Sequence, residues 1–408
     1  MNSTFLFKMA LGIESPWEVT EIKLDDLGSG KELHIYIDFK RGSRFSDNSN
    51  EPCEVHDTVQ KTWRHLNFFE HACYLHCRVP RIKTKNGKVK VVNVPWSRPG
   101  SGFTLLFESY AMALIESEMP VNKIGKLFNE NPHRIWTIFN YWIKRAYNAD
   151  QPKTPKKLGL DETSKKKGHH YVTIAVDLDE RRVLHVSEGK DKNAVKDIKK
   201  YLESKGIDVN EVKSTSMDMS PSFISGVNEY FPEAEIHFDR FHVVKLLNEA
   251  MDKVRQVERK EHNELKGHKY TFLKNQNHLS VNKKEELNKL ITLYPTLGKA
   301  YRLKELFNDL WEMDNVENAT HFLVNWCKEV EESGIAPFKQ FVKTVKSHWM
   351  GIVNFCGTRI NNGILEGINS KVQLAKRRAR GYRSTENFIN MIYFLCGKLN
   401  FDYPSYST

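Results

Sequence analysis

The chain has 408 residues, with 62 Lys and Arg against 51 Asp and Glu, and a formal net charge of +11. At roughly 100–200 residues per domain this length predicts two to four domains. With 40% hydrophobic and 28% charged residues, the composition excludes a disordered chain. No run approaches the ~18–20 apolar residues of a membrane span. The opening MNSTFLFKMALGIESPW holds too short an apolar core for a secretion signal. Six scattered Cys do not make a disulfide framework, so a reducing, cytoplasmic setting is expected. The positive balance suits nucleic acid, an acidic partner or neither, and the motifs must decide.

Residues 17–24 and 31–39 alternate apolar and polar around LGSG, which predicts a β-hairpin. Further short strands are predicted over 61–68, 73–82 and 88–95, giving a small β-rich module over 1–95. PWSRPGSGF (95–103) reads as a turn or linker. The pattern then turns helical over 104–117, 121–128 and 133–147. Val121, Ile124, Leu127 and Phe128 form one stripe, and NENP (129–132) a capped turn. Short helix, turn, longer helix predicts a helix-turn-helix over 103–148.

A basic linker (149–157) leads to the most ordered stretch. Strands are predicted at 158–163, 169–179 and 181–188, a helix at 193–206, a strand at 211–218, a helix at 220–231 and a strand at 234–239. Helix follows from His242. The order β-β-β-α-β-α-β-α is that of a ribonuclease-H-like α/β domain, expected here over 156–400. From 242 to about 350 almost only helix is predicted, with Trp311, Trp326 and Trp349 as core anchors. Helices at 359–379 and 384–398 close the chain. The expected fold is therefore multi-domain α+β.

Three carboxylates distant in sequence meet under this element order. Asp161 sits in the first strand after an apolar Leu-Gly-Leu run, Asp218 ends the fourth strand, and Glu366 lies on a late helix. Phosphodiester cleavage needs an activated nucleophile and a stabilised leaving oxygen, and two Mg²⁺ ions held by hard oxygen ligands supply both. Clustered carboxylates repel one another, so three together make sense mainly around cations. The plainer reading of a strand-end Asp is a turn former. Asp239 and His242, in FDRFHVVK, emerge near the same sheet edge. They read either as support for the carboxylates or as the cap of the next helix. KVQLAKRRARGYR (371–383) follows Glu366 and holds Lys371, Lys376, Arg377, Arg378, Arg380 and Arg383. Such a patch contacts phosphates or complements the helix dipole. Gly363 and Gly367 either admit a close backbone or mark a packing contact.

Cys53 with His56, and Cys73 with His76, mimic a zinc ligand set. The second pair lies in a strand where Cys73, Leu75, Cys77 and Val79 face one way and His76 the other. No zinc is expected; buried core Cys is the better account.

With these residues in view, the chain resembles a DDE transposase of the bacterial insertion-sequence family ISL3. The stretches that carry the resemblance are 55–81, PWSRPGSGFT (95–104), LGLDETSKKKGHHYVTIAVDLD (158–179), SMDMSPSFISGVNEYFP (216–232), IHFDRFHVVK (236–245) and NNGILEGINSKVQLAKRRARGYRSTENFINMIYF (361–394). The resemblance implies that Asp161, Asp218 and Glu366 are the DDE triad. It also implies that the helical stretch is an all-helical insertion over about 243–355. It implies Mg²⁺ as cofactor (Mn²⁺ in its place). It further implies cutting at terminal inverted repeats and joining to target double-stranded DNA. His133, Arg134 and Thr137 at the start of the third helix would read the major groove. A homo-oligomer without a membrane is expected, cytoplasmic and nucleoid-associated when bound. The family's N-terminal zinc ribbon carries Cys pairs where this chain reads SDNSN (46–50) and TKNGK (84–88), so the module here is a degenerate zinc-ribbon-like one. That loss motivates the rival reading, a catalytically inactive DNA-binding regulator that keeps the fold.

Overall fold

The computed structural model describes residues 3–26, 28, 30–46, 51–84, 86–166, 170–360 and 363–404. Most of SDNSN, Lys85 of TKNGK, position 169 and the two Asn that open NNGILEG lie outside them. The chain divides into two compact units, Met1–Ala149 with Leu399–Thr408, and Asp150–Lys398. None of the described helices is long and apolar enough to cross a membrane.

The first unit begins with helix α1 (Ser3–Ala10), then strands β1 (Trp17–Asp26) and β2 (Lys31–Phe39). They form the expected hairpin, running from Trp17 opposite Phe39 to Asp26 opposite Lys31. Short β3 (Phe45–Ser46) and β4 (Pro52–Cys53) pair with each other; β5 (Val55–Phe68), β6 (His71–Lys83) and β7 (Val89–Val91) follow. The main sheet has the order β1-β2-β6-β5, with β7 on β6. Period-two alternation buries Leu33, Ile35 and Ile37 together with Cys73, Leu75, Cys77 and Val79 against Trp17, Trp63 and Trp96. The opposite face carries His34 and His76, whose ring nitrogens stand 2.9 Å apart, with Thr62 Oγ1 2.9 Å from the second His76 nitrogen. Cys73 and His76 therefore lie on opposite faces. Burial pushes the Cys73 and Cys77 thiols up to about 12, which keeps them protonated.

Helices α2 (Leu105–Glu116), α3 (Val121–Phe128) and α4 (Pro132–Ala149) complete the unit. The Thr104 hydroxyl caps α2 by accepting from the Phe107 N–H. Helix α3 stops at Asn129, which is left-handed at φ 53°. Pro132 then opens α4, and Asn131 Oδ1 accepts the His133 N–H. Gly125 is required by this turn, since a Cβ there would stand 2.7 Å from the Glu130 carbonyl oxygen and 3.0 Å from Pro132. Val121, Ile124 and Phe128 are buried as expected, but Leu127 is 54% exposed. At 100° per residue it falls off the buried stripe. The chain's last residues return here: the Ser109 hydroxyl donates to the Pro404 carbonyl, and Arg145 pairs with Asp402.

In the second unit β8 (Lys157–Lys166), β9 (His170–Asp177), β10 (Arg182–Glu188), β11 (Ser214–Met217) and β12 (Glu235–Phe238) form one sheet in the order β10-β9-β8-β11-β12. The pairs β10/β9 and β9/β8 are antiparallel, whereas β8/β11 and β11/β12 are parallel. Helix α5 (Lys192–Ser204) leads into β11, and α6 (Pro221–Tyr230) into β12. Helix α7 (Arg240–Glu258) opens a helical array of α8 (Lys269–Leu273), α9 (Val281–Leu293), α10 (Pro295–Phe307), α11 (Val316–Ser333), α12 (Ala336–Ser347) and α13 (Trp349–Thr358). Trp311 and Trp326 anchor it against Phe307. Trp349, expected beside them, is only half-buried at the start of α13. The chain then forms α14 (Gly363–Arg378) and α15 (Thr385–Cys396). The expected helix from 359 begins later because Arg359 is left-handed, φ 52°, and ends α13.

Candidate active site

The parallel register sets the site. Gly159 of β8 lies opposite Ser216 of β11, and Ser216 opposite His237 of β12. Two residues further along each strand stand Asp161, Asp218 and Asp239, so the register brings the three acids to one edge of the sheet. That edge is the carboxyl end of the parallel strands, where open α/β sheets bind ligands. Asp218 falls just past β11 rather than within it.

Each acid has a local reason to be there. Asp218 accepts the Ser220 N–H at 3.0 Å and turns the chain into α6. Asp239 accepts the Phe241 N–H, capping α7, and its other oxygen lies 3.1 Å from His242 Nδ1. Asp239 therefore caps α7, and the same side chain reaches His242. Asp161 accepts from the Glu162 N–H and from Asn369 Nδ2. Burial pushes its carboxyl up to about 6 and the charge of Asp218 pushes the same way, while the Glu162 N–H, His242 and Asn369 pull it down. The His242 imidazole is raised, first by its bond to Asp239 and then by the charges of Asp218 and Asp161. Burial also raises the neighbouring Glu162, against the attraction of Lys190. Two acids, one imidazole and their neighbours thus form a single electrostatic group.

Helix α14 lies along β8. A Cβ on Gly159 would stand 2.8 Å from a Leu178 methyl and 3.0 Å from a Leu365 methyl, so the glycine is what admits Leu365. Asn369 bonds Asp161, Gln373 Nε2 bonds Thr163 Oγ1 at 3.0 Å, and Lys376 Nζ bonds the Ser164 carbonyl at 2.7 Å. Glu366 lies one turn before Asn369 and is exposed. Among the described residues no three of His, Cys, Asp and Glu gather closely enough to hold one metal ion. Asp161 and Asp218 come together; Glu366 does not join them in this conformation. The group that touches Asp161 from α14 is Asn369, a neutral amide that no charge pattern singles out. Its signal was a polar residue inside the apolar stripe Leu365, Ile368, Val372. Among the described residues the buried Asn369 Oδ1 finds no hydrogen-bond partner. Two carboxylates and one unpaired amide oxygen are hard donors of the kind Mg²⁺ takes.

The basic segment divides. Lys376 is half-buried and held by Ser164, while Lys371, Arg377, Arg378 and Arg380 are exposed. Gly367 has no neighbour within 4 Å of a built Cβ, so the close approach falls at Gly159 instead. In the first unit His133, Arg134 and Thr137 are exposed on α4. Arg134 pairs with Glu130 at 2.6 Å and lies over the Phe103 ring. The Thr137 hydroxyl donates to the His133 carbonyl at 3.0 Å.

Residues 158–392 match the family model described as Transposase, and residues 92–143 match the helix-turn-helix domain of transposase family ISL3. The transposase for insertion sequence element IS1001 of Bordetella parapertussis is 26% identical, over 88% of this chain and 90% of that protein. The transposase for IS1557 of Mycobacterium tuberculosis (strain ATCC 25618 / H37Rv) is 23% identical, over 95% of this chain and 94% of that protein. Sheet, helix-turn-helix and matches together define a DNA transposase, an enzyme that binds and cleaves DNA. Within that class the chain belongs to the ISL3 transposase family.

Proposed function

We propose that this transposase recognises the terminal inverted repeats of an insertion sequence, cuts there and joins the ends to target DNA, using Asp161, Asp218 and Glu366 with Mg²⁺. The observation that carries this reading is the alignment of Asp161 and Asp218 on adjacent parallel strands with α14 laid against β8. The strand order, antiparallel on one side of β8 and parallel on the other, favours a ribonuclease-H-like catalytic domain over 156–400. The β-rich module over 1–95 and the helix-turn-helix over 103–148 would precede it.

Asp161, Asp218, Glu366 and the Asn369 oxygen would hold the cations. Mg²⁺, when bound, activates the attacking oxygen and stabilises the leaving one. Asn369 fixes the orientation of the Asp161 carboxylate, and the His242 ring, raised toward its charged form, offsets the repulsion between the acids. A movement of the first turn of α14 would bring Glu366 to the pair. Lys371, Arg377, Arg378 and Arg380 would hold backbone phosphates, and His133, Arg134 and Thr137 would read bases. An assembly of two or more copies would hold two ends at once, in the cytoplasm on the nucleoid.

The test is a nicking assay on DNA taken from both flanks of the coding region. Asp161→Asn and Glu366→Gln should each abolish Mg²⁺-dependent nicking while the gel shift of the same DNA persists. Undiminished nicking by Asp161→Asn would overturn the site; undiminished nicking by Glu366→Gln alone would remove Glu366 from it.

A further inference from the structure

Phe241 is the second residue of α7 and is 61% exposed. Its ring meets the edge of His242, at 5.6 Å between centroids and 85° between planes. His242 is the imidazole whose charge is felt at Asp161. A large apolar ring thus stands in water one residue from the acid group, where a polar residue would serve α7 equally well. Along the same helix face, Lys245 and Asn248 follow at i+4 and i+7. They line a groove of about 530 Å³ that runs on to Lys253 and Lys269. The acids there do not cancel its charge. Asp252 is held by Arg255 and Lys269, at 2.7 and 3.4 Å. Among the described residues neither Lys245 nor Lys253 forms an ion pair; the exposed Glu249 lines the groove between them.

Aromatic platforms followed by unpaired cations are how proteins hold single-stranded nucleic acid, because every base offers a π-face and every nucleotide a phosphate. We propose that the α7 groove holds an unpaired stretch of the DNA strand next to the cleavage site. One base would stack on Phe241, and the following phosphates would lie on Lys245 and Lys253. The groove continues the proposed active site, so the inference rests on that reading for its setting. Its role is to hold strands opened at the cut, which the duplex-reading face of α4 cannot do. An apolar peptide would fill the same volume but gain nothing from the two lysines.

The test uses the full-length protein without divalent metal. The probes are a blunt duplex and a forked duplex whose unpaired arm carries 2-aminopurine. Phe241→Ala should weaken binding of the forked probe by about tenfold and remove the 2-aminopurine quenching. Phe241→Tyr should keep both, and Lys245→Ala should lower forked affinity and flatten the salt response of the forked probe alone. Blunt-duplex affinity and melting temperature should match the parent in all three, because these side chains are exposed. Parent-like quenching and affinity with Phe241→Ala would overturn the proposal, as would an equal loss on both probes. These readouts involve no cleavage. A failure here leaves the Asp161→Asn nicking result standing, and a failure there leaves the stacking measurement readable.

Discussion

Glu108 is wholly buried in α2, on the stripe that also buries Phe107, Ala111, Met112 and Ile115. Its carboxylate receives the Arg98 Nε–H at 2.9 Å, the Ser101 hydroxyl at 2.5 Å and the Trp142 indole N–H at 2.8 Å. These three donors come from the 95–103 turn and from α4, so one carboxylate fastens the turn and two helices of the DNA-binding unit. Glu108→Ala leaves the Arg98 guanidinium, only 13% exposed, without its counter-charge, and an indole N–H without an acceptor. Breaking a buried pair on one side costs about 3–5 kcal/mol. For a unit of this size that corresponds to a fall in melting temperature of about 10 °C. Glu108→Gln keeps one acceptor oxygen and loses the charge-assisted part, about 2 kcal/mol. The double change Glu108→Leu with Arg98→Met should recover most of the loss, since neither ion is then stranded. Calorimetry gives the shift, and hydrogen exchange should place it in α2, α4 and the turn. Melting of Glu108→Ala within about 2 °C of the parent would refute the account of this cluster.

Two further outcomes follow from the packing and the electrostatics. Gly159→Ala forces a Cβ into the space held by Leu178 and Leu365. It should cost about 1–3 kcal/mol and move α14 off β8, lowering nicking far more than DNA binding; parent-like nicking would sink the role given to this contact. Burial holds His65 and His185 down at about 4, with Arg64 adding to the effect at His65. Both are neutral when folded and protonate when unfolded below about 6.5. The unfolded chain therefore gains protons first as pH falls. Each histidine should withdraw about 2 kcal/mol of stability between pH 7 and pH 5, in its own unit. Urea titrations at the two pH values check this, and His185→Gln should flatten the response of the second unit; an unchanged slope would contradict the assignment.

Much of this architecture was legible in the chain, and the reason is locality. Period-two alternation in 17–39 and 73–79 names the buried face of each strand without reference to partners. The left-handed Asn129 and the Pro at the start of α4 are short-range signals. The acids stood out because carboxylates after apolar runs are costly unless used. Asn369, a neutral amide, gives no charge signal, although its place between Ile368 and Val372 marks the buried face of α14. A cation in a basic run such as Lys376 looks solvent-directed in sequence; only β8 beside it shows that Ser164 holds it. Glu108 sat unremarked in an apolar stripe because its three donors lie far along the chain or in a turn of irregular backbone.

The sequence by itself determined most of the strands and helices, where the helix-turn-helix turns, and that Asp161, Asp218 and Glu366 were the acids to follow. Those are properties of short windows, set by side-chain period and backbone preference. The element order already pointed Asp161, Asp218 and Asp239 toward one sheet edge; the tertiary structure supplied the register that aligns them on neighbouring parallel strands. It alone decided that Gly159 lets α14 lie on β8, and that this contact turns Asn369 toward Asp161 while Glu366 stays at the rim. Strand register and the rotation of α14 are fixed by packing between segments tens to more than two hundred residues apart, and no local pattern carries that information.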